Sequence, residues 1–213
     1  MKLTKFQHAC LVIQKNKTVI VVDPGGFTRD FIMPKQVDAI VITHEHGDHF
    51  DEKLIKSILE NNPKATVIAH ESIAGRFGGE TQTIPATVGQ PYAIGDISLQ
   101  FFGGQHATIV PALQPPANLG VLFDESLYYP GDSFVIPEGH QVTSLAIPVS
   151  APWLKISEVI EFLSQIKPVF AFPTHDAILS ADGKAIVDTW LSGAAGQQNT
   201  QYKRLDESSV ELP

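Results

Sequence analysis

Val37-Asp38-Ala39-Ile40-Val41-Ile42 runs directly into Thr43-His44-Glu45-His46-Gly47-Asp48-His49, and everything else follows from how this stretch is read. The apolar, β-branched part predicts a buried strand. His44 and His46, two residues apart, leave its end pointing the same way, so both imidazoles reach one cation. Gly47 permits a sharp turn, after which Asp48 and His49 offer an oxygen and a nitrogen to a second cation. The pattern is HxHxDH. Three histidines and a carboxylate packed so closely point to metal chemistry rather than to a solvated turn.

On either side of that loop the chain reads as strands and helices. Residues 3–13 and 18–22 predict two strands joined by Lys15-Asn16-Lys17. The second closes in Asp23-Pro24-Gly25-Gly26, which stops the ladder and leaves the Asp23 carboxylate at a strand end. Beyond the loop, residues 51–60 pair Leu54 with Ile58 and Ile55 with Leu59, the spacing of an amphipathic helix, with acids in its first turn. A strand over 65–69 and a short helix over 70–77, ending at Gly78-Gly79, follow. From 81 to 129, short runs at 92–94, 97–102, 119–123 and 126–129 predict antiparallel strands between Gly, Pro and Asp turns. Alternation then returns: strand 144–148, helix 155–166, strand 169–172, helix 185–191, a loop over 193–200 and a closing hairpin over 202–212. No repeat or shift in composition divides the chain, so residues 1–213 read as a single α/β domain with a mixed sheet core.

Composition narrows the function. Of 213 residues, 43% are hydrophobic and 18% charged, as in ordinary globular chains, and the net charge is -8. Binding to long nucleic acid or to anionic membrane draws most of its energy from Lys and Arg, so neither partner is expected. The polar start and the lack of any long apolar run predict a cytoplasmic chain with no membrane span. Cys10 is the only cysteine and sits in the apolar run Ala9-Cys10-Leu11-Val12-Ile13, which excludes an internal disulfide and suits a buried position.

Three further metal-competent residues stand beside turn residues at predicted strand ends: His106 in Gly103-Gly104-Gln105-His106, Asp132 in Tyr129-Pro130-Gly131-Asp132-Ser133, and His175 in Phe172-Pro173-Thr174-His175-Asp176. Such positions let a side chain lean out of the sheet toward a shared site. With HxHxDH they make five His and two Asp, enough N and O ligands for two divalent ions with positions left for water.

This arrangement resembles the metallo-β-lactamase superfamily, whose pattern has an Asp closing an early strand, HxHxDH, a later His, a bridging Asp and a last His. The resemblance covers nearly the whole chain and implies a four-layer αββα sandwich. Gln7-His8-Ala9, Val22-Asp23-Pro24, Asn118-Leu119-Gly120, Ile147-Pro148-Val149 and Pro173-Thr174-His175 look like the branch of small metal-dependent hydrolases similar to ascorbate-6-phosphate lactonase. By that resemblance His44, His46 and His106 hold one metal, Asp48, His49 and His175 the other, and Asp132 bridges them, with zinc expected and manganese or iron as alternatives. Two cations roughly 3.5 to 4 Å apart would acidify a shared water for attack on a carbonyl or phosphoryl centre. Asp48 would both bind metal and orient the attacking hydroxide, and Asp23 would hold the histidine loop by hydrogen bonds.

The departures from the family pattern are informative. Antibiotic-destroying members commonly have Cys at the position of Asp132, and flavodiiron-like oxidoreductases have Glu at that of His46, so this chain reads as a hydrolase of a small ester, lactone or phosphoester. A metal-dependent phosphodiesterase or nuclease, a di-iron redox protein and a metal-holding binding protein are the alternatives. A small-molecule substrate is expected, and a homo-oligomer is left open. His8, set between Phe6 and an apolar run, needs a polar partner. It is expected to face the cleft, to bind no metal, and to contact substrate or protonate its leaving group. His70 reads as a surface or helix-start residue, and Trp153 as either pocket wall or core.

Overall fold

The structure, a computed structural model, describes residues 1–77, 81–205 and 208–213. Among them, one seven-stranded sheet runs in the order β14-β1-β2-β3-β4-β5-β6, from Ser209–Glu211, Lys2–Lys5, Leu11–Lys15, Thr18–Val22, Ala39–Ile42, Thr66–Ala69 and Gln82–Pro85. The other runs β13-β12-β11-β10-β9-β8-β7, from Gln201–Tyr202, Phe170–Thr174, Ser144–Pro148, Leu127–Tyr129, Leu119–Phe123, Ile97–Gly103 and Pro91–Ile94. Each sheet is part antiparallel and part parallel. β3 through β6 pair parallel in the first, and β10 through β13 in the second.

Strand alternation explains the layers. Ile20, Val22 and Val41 point between the sheets to meet Phe101, Val121, Tyr129 and Phe172. Their neighbours Val21, Ile40 and Ile42 point outward against Ile55 and Ile58 of α1 (Glu52–Asn61) and Ile73 of α2 (Glu71–Ala74). On the other outer face, Leu122, Tyr128, Leu145 and Ile147 meet Val159, Phe162 and Leu163 of α3 (Ile156–Ile166) and Leu191 and Ala195 of α4 (Ala181–Gly196). The result is the four-layer αββα sandwich. Strands buried on both faces, such as β3 and β4, are apolar throughout for this reason. Asp51 caps α1 by accepting from Lys53 N and Leu54 N, and Ser180 caps α4 by accepting from Gly183 N.

Several boundaries differ from the sequence expectation. Residues 3–13 form two strands, because the chain turns at His8, whose φ is 62°. β6 pairs parallel with β5 rather than joining the antiparallel stretch. α4 extends to Gly196 through residues read as loop, its Gly193 exposed to solvent. The expected closing hairpin is absent, since β13 pairs with β12 while β14 pairs with β1 in the other sheet. Gly78 and Gly79, read as a helix end, lie outside the described residues. Cys10 is fully buried, and burial pushes its thiol up. No helix among the described residues is long and apolar enough to cross a membrane.

Candidate metal centre

The site lies where strands of both sheets run out. β4 ends at Ile42 and releases Thr43 to His49, a loop pinned to the 23–26 turn by Gly26 N to Gly47 O at 2.7 Å and Asp51 N to Pro24 O at 3.1 Å. The approach is so close that a Cβ on Gly25 would meet the Asp48 carbonyl oxygen at 1.8 Å. From the second sheet, His106 follows β8, Asp132 follows β10 and His175 follows β12. Asn118 braces the Asp132 turn, with its side chain accepting from Asp132 N at 3.0 Å and donating to Pro130 O at 2.9 Å.

Three groups of potential ligand atoms result, each with all members within 4.8 Å of one another: His44, His46, His106 and Asp132 in one, His8, Asp48, His49 and His175 in a second, and behind them Asp23, His44 and His49. Asp132 reaches the first two. Its Oδ1 lies 3.1 Å from His49 Nε2, and its Oδ2 lies 3.1 Å from His175 Nε2, 3.2 Å from His106 Nε2 and 3.9 Å from His44 Nε2. His44, His49, His106, Asp132 and His175 are buried, whereas His46 and Asp48 are partly exposed.

Hydrogen bonding on the far side of each ring decides what points inward. Thr43 Oγ1 donates to Asp23 Oδ2 at 2.6 Å, so at 3.0 Å from His44 Nδ1 it must accept, and that nitrogen carries the proton. His49 Nδ1 donates to Asp23 Oδ2 at 2.8 Å, His106 Nδ1 to Ala107 O, and His175 Nδ1 to Ser150 O. With Nδ1 committed in all four rings, Nε2 is the nitrogen left facing the centre, free to hold either a proton or a cation. His44 Nε2, His49 Nε2, His175 Nε2 and Asp132 Oδ1 are buried without a hydrogen-bond partner among the described residues. Lone pairs facing a carboxylate at such distances repel unless a proton or a cation lies among them. Nitrogen and carboxylate donors oriented in this way fit divalent transition metals.

The electrostatics agree. Burial works against ionising Asp48 and Asp132, but the imidazoles around them outweigh it and hold both carboxyls well below the usual range. Burial pulls His44 well below its ordinary value, and it lowers His46 as well. For His49 and His175 burial also opposes charge, yet Asp132 overrides it, raising His49 well above its ordinary value and His175 to about 9. A proton and a cation thus compete for the same Nε2 atoms.

His8 is built the other way round. Its Nδ1 accepts from Ala177 N at 3.3 Å, so Nε2 carries the proton and donates to Asp48 Oδ2 at 3.1 Å. Burial holds its pKa down to about 4, which keeps it neutral. Its ring centroid lies 4.0 Å from that of His175 and 5.0 Å from that of Phe27.

Asp23 orients the loop, accepting from Thr43 N, Thr43 Oγ1, His49 Nδ1 and, at 2.9 Å, Tyr129 OH. Sequence reasoning did not find Thr43, Tyr129 or Asn118 as supports, because hydroxyl and amide side chains at strand ends carry no spacing signature. Trp153 lies at the site, its Nε1–H donating to Asp132 Oδ2 at 3.2 Å. His70 is half-buried and caps the start of α2, its side chain accepting from Ser72 N, the helix-start place its position suggested.

A family model described as a beta-lactamase superfamily domain matches residues 2–175. The Mycobacterium tuberculosis protein Rv0786c is 36% identical over 99% of each chain. A UPF0173 metal-dependent hydrolase from Hyperthermus butylicus is 33% identical over 66% of this chain and 65% of its own. Igni18, a metallo hydrolase from Ignicoccus hospitalis, superposes with a TM-score of 0.75 over 100% of this chain and 99% of its own at 16% identity, which supports the fold alone. With the family model covering most of its length and the two sheets meeting at the expected histidines, this chain belongs to the metallo-β-lactamase superfamily.

Proposed function

We propose that this protein is a metal-dependent hydrolase of a small ester, lactone or phosphoester, and that it holds two divalent cations, zinc in the first instance with manganese or iron as alternatives. In this reading His44, His46 and His106 serve one cation, Asp48, His49 and His175 the other, and Asp132 both. The observation that carries it is the set of Nε2 atoms, their Nδ1 partners committed elsewhere, converging on the two oxygens of Asp132. A bound cation pair supplies an acidified water and an electrophilic clamp on the scissile centre.

The remaining work belongs to the chain. Asp48, partly exposed, orients the attacking water through its carboxylate. His8, fully buried, donates to Asp48 Oδ2, so we assign it to positioning Asp48 rather than to contact with substrate. An all His and Asp ligand set without Glu favours hydrolysis over di-iron redox chemistry. The chain's acidity favours small substrates over long nucleic acid.

The test is metal content with turnover. Purified protein loaded with zinc or manganese and desalted should hold two equivalents per chain. Asp132→Ala should disturb both, and His175→Ala mainly one. A panel of lactone, ester, thioester and phosphodiester model substrates should show hydrolysis that chelation abolishes. A single metal, unaffected by Asp132→Ala, would sink the two-metal reading.

A further inference from the structure

We propose that Trp153 is a positioning residue of the metal centre, its indole N–H holding the Asp132 carboxylate so that it stands astride both groups of ligands; this rests on the metal-centre reading above. Trp153 stands in the short loop between β11 and α3, after Pro152 and just before Lys155, which caps α3. That loop touches the centre twice. Ser150 O accepts from His175 Nδ1, and Trp153 Nε1 donates to Asp132 Oδ2 at 3.2 Å.

The chemistry of the donor distinguishes Trp153 from the imidazoles around it. Each histidine near Asp132 can place its proton on either nitrogen, and their Nδ1 protons are already committed to acceptors outside the centre. Indole has one N–H and no alternative tautomer, so its bond to Oδ2 stands whether or not a cation is bound. With Oδ2 anchored, the carboxylate plane is set and Oδ1, which has no hydrogen-bond partner, stays aimed toward His49 Nε2 at 3.1 Å. A neutral donor achieves this without adding charge that would repel a cation, as Lys or Arg would.

The ring is itself held. Its centroid lies 5.3 Å from that of Phe134 at 67° and 5.9 Å from that of His106 at 77°, edge contacts that fix the direction of Nε1. Phe134 in turn packs on Phe162 of α3 at 5.2 Å. The orientation of Asp132 is thus tied to the outer helical layer.

The test uses zinc alone as probe, on the full chain. Trp153→Phe keeps an aromatic ring against Phe134 and His106 but removes the N–H. Zinc affinity, measured by competition with a chromophoric chelator, should fall by roughly 10- to 100-fold. The urea midpoint of the chelator-treated variant should match that of the wild type. An unchanged affinity would overturn the proposal, and so would a fall accompanied by a comparable loss of metal-free stability, which would make Trp153 a packing residue. A second measurement does not depend on how that variant folds. The chain has two tryptophans, and the other, Trp190, is 60% exposed on α4. Trp190→Phe therefore isolates Trp153, whose emission should change as zinc is added. Zinc uptake with no change in emission overturns the proposal. If the wild type takes up no zinc, the metal-centre reading falls and this inference with it, an outcome the wild-type arm reveals by itself.

Discussion

A histidine serves a cation only when one nitrogen is already committed elsewhere, and this chain commits Nδ1 of His44, His49, His106 and His175 by four different acceptors. His8 reverses the arrangement and points a proton inward, which is why we read it as acting on Asp48 rather than on metal. Its φ of 62° makes alanine a poor probe, since a Cβ is strained there and Asn tolerates the region better. His8→Asn should retain wild-type metal content while turnover of the best model substrate falls by roughly a hundredfold. Full turnover, or a lost metal ion, would refute the role. The candidate ligands are legible in the sequence because metal binding restricts residue type and spacing at once. Of their orienting partners only Asp23, which accepts from His49 Nδ1, was legible. Ala107 and Ser150 contribute carbonyl oxygens, which any residue would supply.

Among elements, those with a decisive local signal were legible. The helix with its Leu54–Ile58 pairing is α1, and the apolar runs 119–123 and 144–148 are β9 and β11. The C-terminal segment misled because strands as short as β13 and β14 carry no pattern to say which sheet they join. Tyr202 and Arg204 of the segment join an ion cluster assembled from distant parts of the chain, while Leu205 and Leu212 pack between the sheets. Asp176, 1% exposed and next to His175, accepts from Lys5 Nζ at 3.2 Å and from Arg204, which also grips Asp188 through two 2.7 Å contacts. Tyr202 OH donates to Asp188 at 2.7 Å. Removing one partner of a buried pair leaves an uncompensated charge. Asp176 would keep Lys5, and Asp188 would keep Tyr202 and some solvent, so we expect Arg204→Met to cost about 2–3 kcal/mol, read by urea unfolding of metal-free protein. A change below about 0.5 kcal/mol would show that the cluster does not hold this end of the chain.

The molecule as a whole is two sheets whose strand ends meet at one centre. The first supplies His44, His46, Asp48 and His49, and the second His106, Asp132 and His175, with Leu119 N to Thr43 O at 2.9 Å and Tyr129 OH to Asp23 at 2.9 Å crossing between them. A cation there would tie the halves together and should stabilise the folded state by mass action. At a hundredfold excess over Kd that is about 2.7 kcal/mol, or about 5–10 °C in Tm for a chain of this size. The sign of its pH dependence follows from the competition at Nε2. His175, raised to about 9 by Asp132 against the effect of burial, and His49, also raised, must give up protons for a cation to bind. Uptake therefore releases protons, affinity falls as pH falls, and the stabilisation is largest at alkaline pH. Thermal melts with and without zinc should show the full upward shift only above about pH 9, where His175 has lost its proton, and a shift shrinking toward zero by about pH 5. An equal shift at both would mean that zinc binds somewhere other than these histidines.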